Sequence, residues 1–109
     1  MQIYINNIEW NIRFVNPNNT NLITNSGIYT LGMTDNNIKT IFLNNKLYGE
    51  LLYDVLCHEL THAYIFSYNI PYSIAEEERL AQFISGYGKS IIQDTDVLLN
   101  KILNSRMVL

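Results

Sequence analysis

The sequence predicts an α+β fold: a small N-terminal antiparallel sheet packed on two successive helices. Three observations predict it. Apolar and polar residues alternate through residues 2–15, and two further strand-like runs follow at 28–33 and 38–43. Between residues 46 and 68 there is no proline and glycine occurs once, near the start, while good helix formers dominate. Beyond Pro71, the series Ser73-Ile74-Ala75-Glu76 has the form of a capping box, with Ser at the N-cap and Glu at N3.

In residues 2–15 the apolar positions are Ile3, Ile5, Ile8, Trp10, Ile12 and Phe14, and Asn6-Asn7 interrupts them, so a β-hairpin is expected. Residues 16–27, rich in Asn, Ser and Thr, read as a loop. Residues 28–33 and 38–43 read as a second hairpin around Asp35-Asn36-Asn37. In the helix expected over 46–68, Leu51, Leu52, Val55, Leu56, Glu59, Leu60, Ala63 and Phe66 cover much of one side, which implies burial between other elements. Asn69-Ile70-Pro71 ends it, because proline disfavours a helical residue before itself. The next helix is expected over 74–89, with Leu80, Ala81, Phe83, Ile84 and Tyr87 apolar, and Gly86 and Gly88 weakening its end. A third is expected over 95–105, carrying Val97, Leu98, Leu99, Ile102 and Leu103.

The 109 residues are expected to form one domain, residues 1–109, large enough to bury roughly 65% of the surface of the unfolded chain. Hydrophobic residues at 48% and charged residues at 16% describe an ordinary globule rather than a disordered chain. A single cysteine, Cys57, has no partner for an internal disulfide and fits a reducing compartment. No apolar run approaches the roughly 18 residues of a membrane span, and no basic region precedes an apolar one at the N-terminus. A cytoplasmic protein without membrane attachment is therefore expected. The net charge of -3, without a Lys or Arg cluster, argues against nucleic-acid binding.

Both histidines lie in the stretch His58-Glu59-Leu60-Thr61-His62. A spacing of four brings them to one helix face, about 6 Å apart along the axis. That suits two imidazole nitrogens around one zinc ion, with Glu59 beside the metal and within reach of a water there: the HExxH arrangement. The bland alternative is a core helix with two satisfied histidines and no metal. Burying two histidines and a carboxylate on a mostly apolar helix without partners is costly, which favours the metal reading. A catalytic zinc usually has three protein ligands. Continuing the motif with glycine at 65 and histidine at 68 would supply one, but those positions hold Ile65 and Tyr68. No third histidine exists, so a carboxylate from Glu76-Glu77-Glu78 is expected. Glu76 is accounted for by the capping box. Turning Leu80, Ala81, Ile84 and Tyr87 inward places Glu77 on the same face, so Glu77 is the expected ligand, with Glu78 as the alternative. All three glutamates also have a bland role, as favourable charge at the positive end of a helix.

Strands, an HExxH helix and a following helix with a glutamate ligand resemble a minimal gluzincin, the class that includes thermolysin and the ImmA/IrrE-type metallopeptidases. The stretches CHELTHAYIFSYNI and EEERLAQFISGYG make the chain look similar to small phage and mobile-element proteins of low-GC Gram-positive bacteria. The resemblance implies a zincin-like fold and a zinc metallopeptidase acting on a protein or peptide substrate, with His58, His62 and Glu77 or Glu78 as ligands and Glu59 as general base and acid. It implies that the hairpin within 28–43 offers an edge to an extended peptide. The gluzincin pattern often carries Asp or Asn four residues after the ligand glutamate; here Ala81 follows Glu77 and Gln82 follows Glu78 at that distance. Asp54, four residues before His58, is a candidate for that place, its bland reading being a surface residue. An oxyanion donor would come from a tyrosine, with Tyr68, Tyr72 and Tyr87 as candidates. Cys57 points about 100° away from His58 and is expected to be a buried small apolar residue. The competing expectation is a zinc-binding interaction module of a phage or mobile element, without turnover.

Overall fold

In the computed structural model, which describes residues 1–107, the chain is α+β. Strands β1 (Gln2–Ile5) and β2 (Ile8–Val15) form the first hairpin. Their turn is Asn6-Asn7, both at positive φ, 50° and 62°. Two left-handed residues make the turn whose twist matches that of the strands, and asparagine tolerates that region best after glycine. Strands β3 (Gly32–Asp35) and β4 (Thr40–Asn44) form the second hairpin.

The sheet is mixed, where an antiparallel one was expected. Its order is β1-β2-β4-β3, and β2 pairs with β4 in parallel, Ile12 beside Ile41 and Phe14 beside Leu43. The reason lies in β4, whose first four residues, Thr40-Ile41-Phe42-Leu43, are all buried. Such a strand needs cover on both faces and a neighbour on both edges. β3 is only partly buried and takes the outer place. The chain therefore skips a position after β2: residues 16–31 pass over one end of β4. They include a 3₁₀ turn, Thr20–Leu22, whose Leu22 is fully buried with Val15 and Phe42 on one sheet face. Residues 28–31, expected as strand, belong to this crossing, tied by Thr30 N to Leu22 O at 2.8 Å.

Helix α1 (Gly49–Ser67) covers the opposite face, where Ile5, Trp10, Ile12, Ile41 and Leu43 pack with Ala63. Trp10 Nε1 donates to Ser67 Oγ at 2.8 Å and Asn6 Nδ2 donates to the Ser67 carbonyl at 3.0 Å. These two bonds fix the C-terminal end of α1 on the first hairpin. Asn69, at φ 51°, then turns the chain, and α2 (Ile74–Phe83) returns along α1.

The predicted break between two C-terminal helices is absent. A π-helical turn, Ile84–Gly88, joins α2 directly to α3 (Lys89–Met107). The two glycines loosen the winding there without ending the rod. Beyond the turn the rod leaves the body, and the whole molecule with the rod measures 61 × 30 × 27 Å. No helix among the described residues is long and apolar enough to cross a membrane.

Replacing Ser67 by alanine leaves the Trp10 indole N–H buried without a partner, which costs about 1–3 kcal/mol. Urea unfolding followed by the fluorescence of Trp10 is expected to show that loss with an unchanged slope.

Candidate metal centre

The site is assembled by two antiparallel helices and one strand. On α1, His58 and His62 lie one turn apart with ring centroids separated by 5.1 Å and planes tilted by 58°. On α2 the start of the helix is set by the expected capping box: Ser73 Oγ accepts from Glu76 N at 3.2 Å, and Glu76 Oε1 accepts from Ser73 N at 3.0 Å. The bond from the Ser73 backbone, foremost, holds the Glu76 carboxyl below its ordinary range. Glu76 thus stays at the helix end, and the next two glutamates reach α1.

Glu77 and Glu78 take different sides of the histidines. Glu78 bridges them, with Oε2 at 3.1 Å from His58 Nε2 and Oε1 at 2.9 Å from His62 Nε2. Glu77 is buried on the other side of His62, its Oε1 2.6 Å from Nδ1. Helix phase correctly puts Glu77 on the buried face with Ala81. That face meets the back of the imidazole, so Glu77, expected as the third ligand, lies outside the cluster, and the alternative Glu78 lies in it. His58, His62 and Glu78 each offer a ligand atom within 4.8 Å of the others.

This donor set fits a divalent ion. Neutral imidazole has one N–H and one lone pair. With Nδ1–H of His62 donated to Glu77, Nε2 faces a Glu78 carboxylate oxygen at 2.9 Å, a contact that either a proton or a bound cation satisfies. Two nitrogens and a carboxylate oxygen are also the donors that zinc takes in catalytic sites. A carboxylate on one ring nitrogen of a histidine orients the ring, and Glu77 stands at that place on His62 Nδ1.

Glu59 is buried beside the cluster. Thr34 Oγ1, from β3, stands 2.9 Å from Glu59 Oε1 and 3.0 Å from its carbonyl oxygen. Burial pushes the Glu59 carboxyl above its ordinary range; the Thr34 bond and the two histidines pull it down, and Glu78 adds to the rise. β3 approaches α1 this closely because Gly32 lacks a side chain. A Cβ there would stand 2.9 Å from both Glu59 Cγ and Val55 Cγ1. Sequence reading missed Gly32, Thr34 and the contact of Glu77 with His62 Nδ1. A lone glycine within a strand pattern is the one available signal, since it marks close backbone approach.

The cluster opens into a cleft of about 890 Å³, walled by Leu31, Gly32, Met33 and Thr34 on one side and by the two helices on the other. Asp54 lines it but bonds to neither histidine among the described residues. None of the candidate tyrosines lines it. Tyr68 stacks on Tyr64 with centroids 6.1 Å apart, Tyr87 tilts against Phe83, and Tyr72 is exposed. Cys57 is only half-buried, in a separate groove on the outer face of α1. Burial, with Asp54 adding, pushes its thiol up, away from thiolate character. Comparison with family models, with curated proteins and with solved structures gave no match for this chain.

Gly32→Ala is expected to force β3 and the Glu59 side chain apart, at a cost of about 1–3 kcal/mol. Chemical denaturation measures the loss, and proton exchange at the Met33 amide, which faces Phe42 on β4, is expected to accelerate more than exchange in β2.

Proposed function

We propose that this chain is a zinc-dependent peptidase of the gluzincin kind with a zincin-like fold, acting on protein or peptide substrates in the cytoplasm. The observation that carries the reading is the convergence of His58 Nε2, His62 Nε2 and the Glu78 carboxylate beside buried Glu59. His58, His62 and Glu78 would hold the zinc, and Glu77 would orient His62. Bound there, zinc supplies Lewis acidity, activating water near neutral pH and polarising a carbonyl.

The residues of the chain account for the rest. Glu59 takes a proton from water and delivers it to the leaving amine, and its raised pKa suits a group that must do both. Thr34 holds that carboxylate in place. β3 is an outer strand, so an extended peptide can pair with its free edge, its scissile bond directed to the cleft. A second reading, a zinc-binding interaction module without turnover, is favoured by the exposure of Tyr68, Tyr72 and Tyr87 away from the cleft.

Protein purified without chelators is expected to carry about one zinc per chain by elemental analysis; no zinc, and no uptake of added zinc, would remove both readings. Glu59→Gln is expected to retain zinc while cleavage of a loosely folded protein falls by about 10²–10⁴-fold. A wild-type chain that binds zinc yet cleaves nothing supports the module instead. Glu78→Ala is expected to weaken zinc more than Glu77→Ala, for which loss of an orienting carboxylate predicts about 10–100-fold. Competition with a chromogenic chelator ranks the two, and the opposite order would return Glu77 to the ligand set.

A further inference from the structure

Helix α3 carries an apolar stripe that nothing among the described residues covers. Ile91, Ile92, Leu98, Leu99, Ile102 and Leu103 fall at spacings of three, four and seven, on one face with Thr95. Each is 45–63% exposed, and α3 packs substantially only against the π turn it continues from. The radius of gyration, 17.1 Å, exceeds the roughly 13 Å of a compact chain of about this length. In folded proteins most helical stability comes from packing of the apolar face.

A matching apolar surface exists on the same chain. The outer face of α1 bears a groove lined by Tyr53, Leu56, Leu60, Tyr64 and, from the rod itself, Ile84. From Tyr53 to Tyr64 it runs about 16 Å, and the stripe from Ile91 to Leu103 runs about 18 Å. The chain cannot fill its own groove with α3 while the rod is continuous. Lys89 Nζ already lies 5.0 Å from the Tyr53 ring, at the end of the groove, and the rod continues outward from there.

We infer that a second copy of this chain fills it: α3 of each protomer lies in the α1 groove of the other, an isologous pair. The six half-exposed side chains offer on the order of 600 Å² per copy, and the groove adds its own area, approaching the roughly 800 Å² per partner of a standard specific interface. The charges of α3, Lys89, Lys101 and Arg106 against Asp94 and Asp96, are mixed, which suits a protein surface better than an anionic membrane.

Sedimentation equilibrium of the full chain is expected to give twice 12.7 kDa at high micromolar concentration, dissociating on dilution. Leu99→Lys, in the stripe, and Tyr64→Lys, in the groove, are each expected to give monomer with unchanged Trp10 emission; Asn100→Lys, on the polar side of α3, is expected to remain dimeric. The only native thiol, Cys57, lies in the groove, so Leu99→Cys treated with a mild oxidant is expected to yield a covalent dimer that disappears when Cys57→Ser is added. A wild-type monomer at every concentration overturns the inference. So does a covalent dimer that persists without Cys57, which would mean that α3 pairs only with α3, or a disulfide closed within one chain. Binding of a monomeric chain to anionic vesicles would overturn it in favour of a lipid surface.

Discussion

Glu59, His62 and Glu77 are buried where a sheet meets a pair of helices, and the fold depends on each having a partner. A buried charge without one costs several kcal/mol. No buried side-chain nitrogen or oxygen among the described residues lacks a hydrogen-bond partner, so the cost is met by geometry. Thr34 comes from the sheet for Glu59, while Glu77 and Glu78 come from α2 for the histidines. α2 can serve only if it starts at the right residue and runs back along α1, which is why Ser73 and Glu76, although outside the cluster, matter to it. Shifting the start of α2 by one residue would rotate its carboxylates by about 100°.

The sheet serves the same end by holding α1 at two points. Trp10 and Asn6 hold its C-terminal end, and Thr34 holds its middle through both backbone and side chain of Glu59. The mixed topology follows from this demand together with the composition of β4. With Ile41 and Leu43 turned to α1 and Phe42 to the crossing loop, β4 occupies the interior of the sheet and leaves β3, with Gly32 and Thr34, beside the site.

Local signals were legible and pairings between distant segments were less so. The Asn6-Asn7 turn, the capping box and the helical spacing of His58 and His62 are short-range and appear as expected. Whether β2 neighbours β3 or β4 is decided by burial of β4 on both faces, and the run Thr40 to Leu43 hinted at it without specifying the neighbour. The glutamates illustrate a related point. Phase told which carboxylate faces inward, but an inward direction can lead to the near or the far nitrogen of an imidazole, and only the lateral offset of α2 on α1 decides between them. The uninterrupted rod through Gly86 and Gly88 shows glycine lowering helical preference by about 1 kcal/mol per residue without prohibiting the helix.

A strand with a neighbour on one side only is the part of a sheet that opens most readily. β3 is such a strand, and Thr34 on it is the hydrogen-bond donor to Glu59. Each local opening of that edge therefore removes the Thr34 bond and frees the carboxylate to adopt other rotamers, so that closure of the edge and order at Glu59 rise and fall together. A ligand that adds a further strand to β3 would raise both together, so that occupancy of the edge and order at the carboxylate become thermodynamically linked.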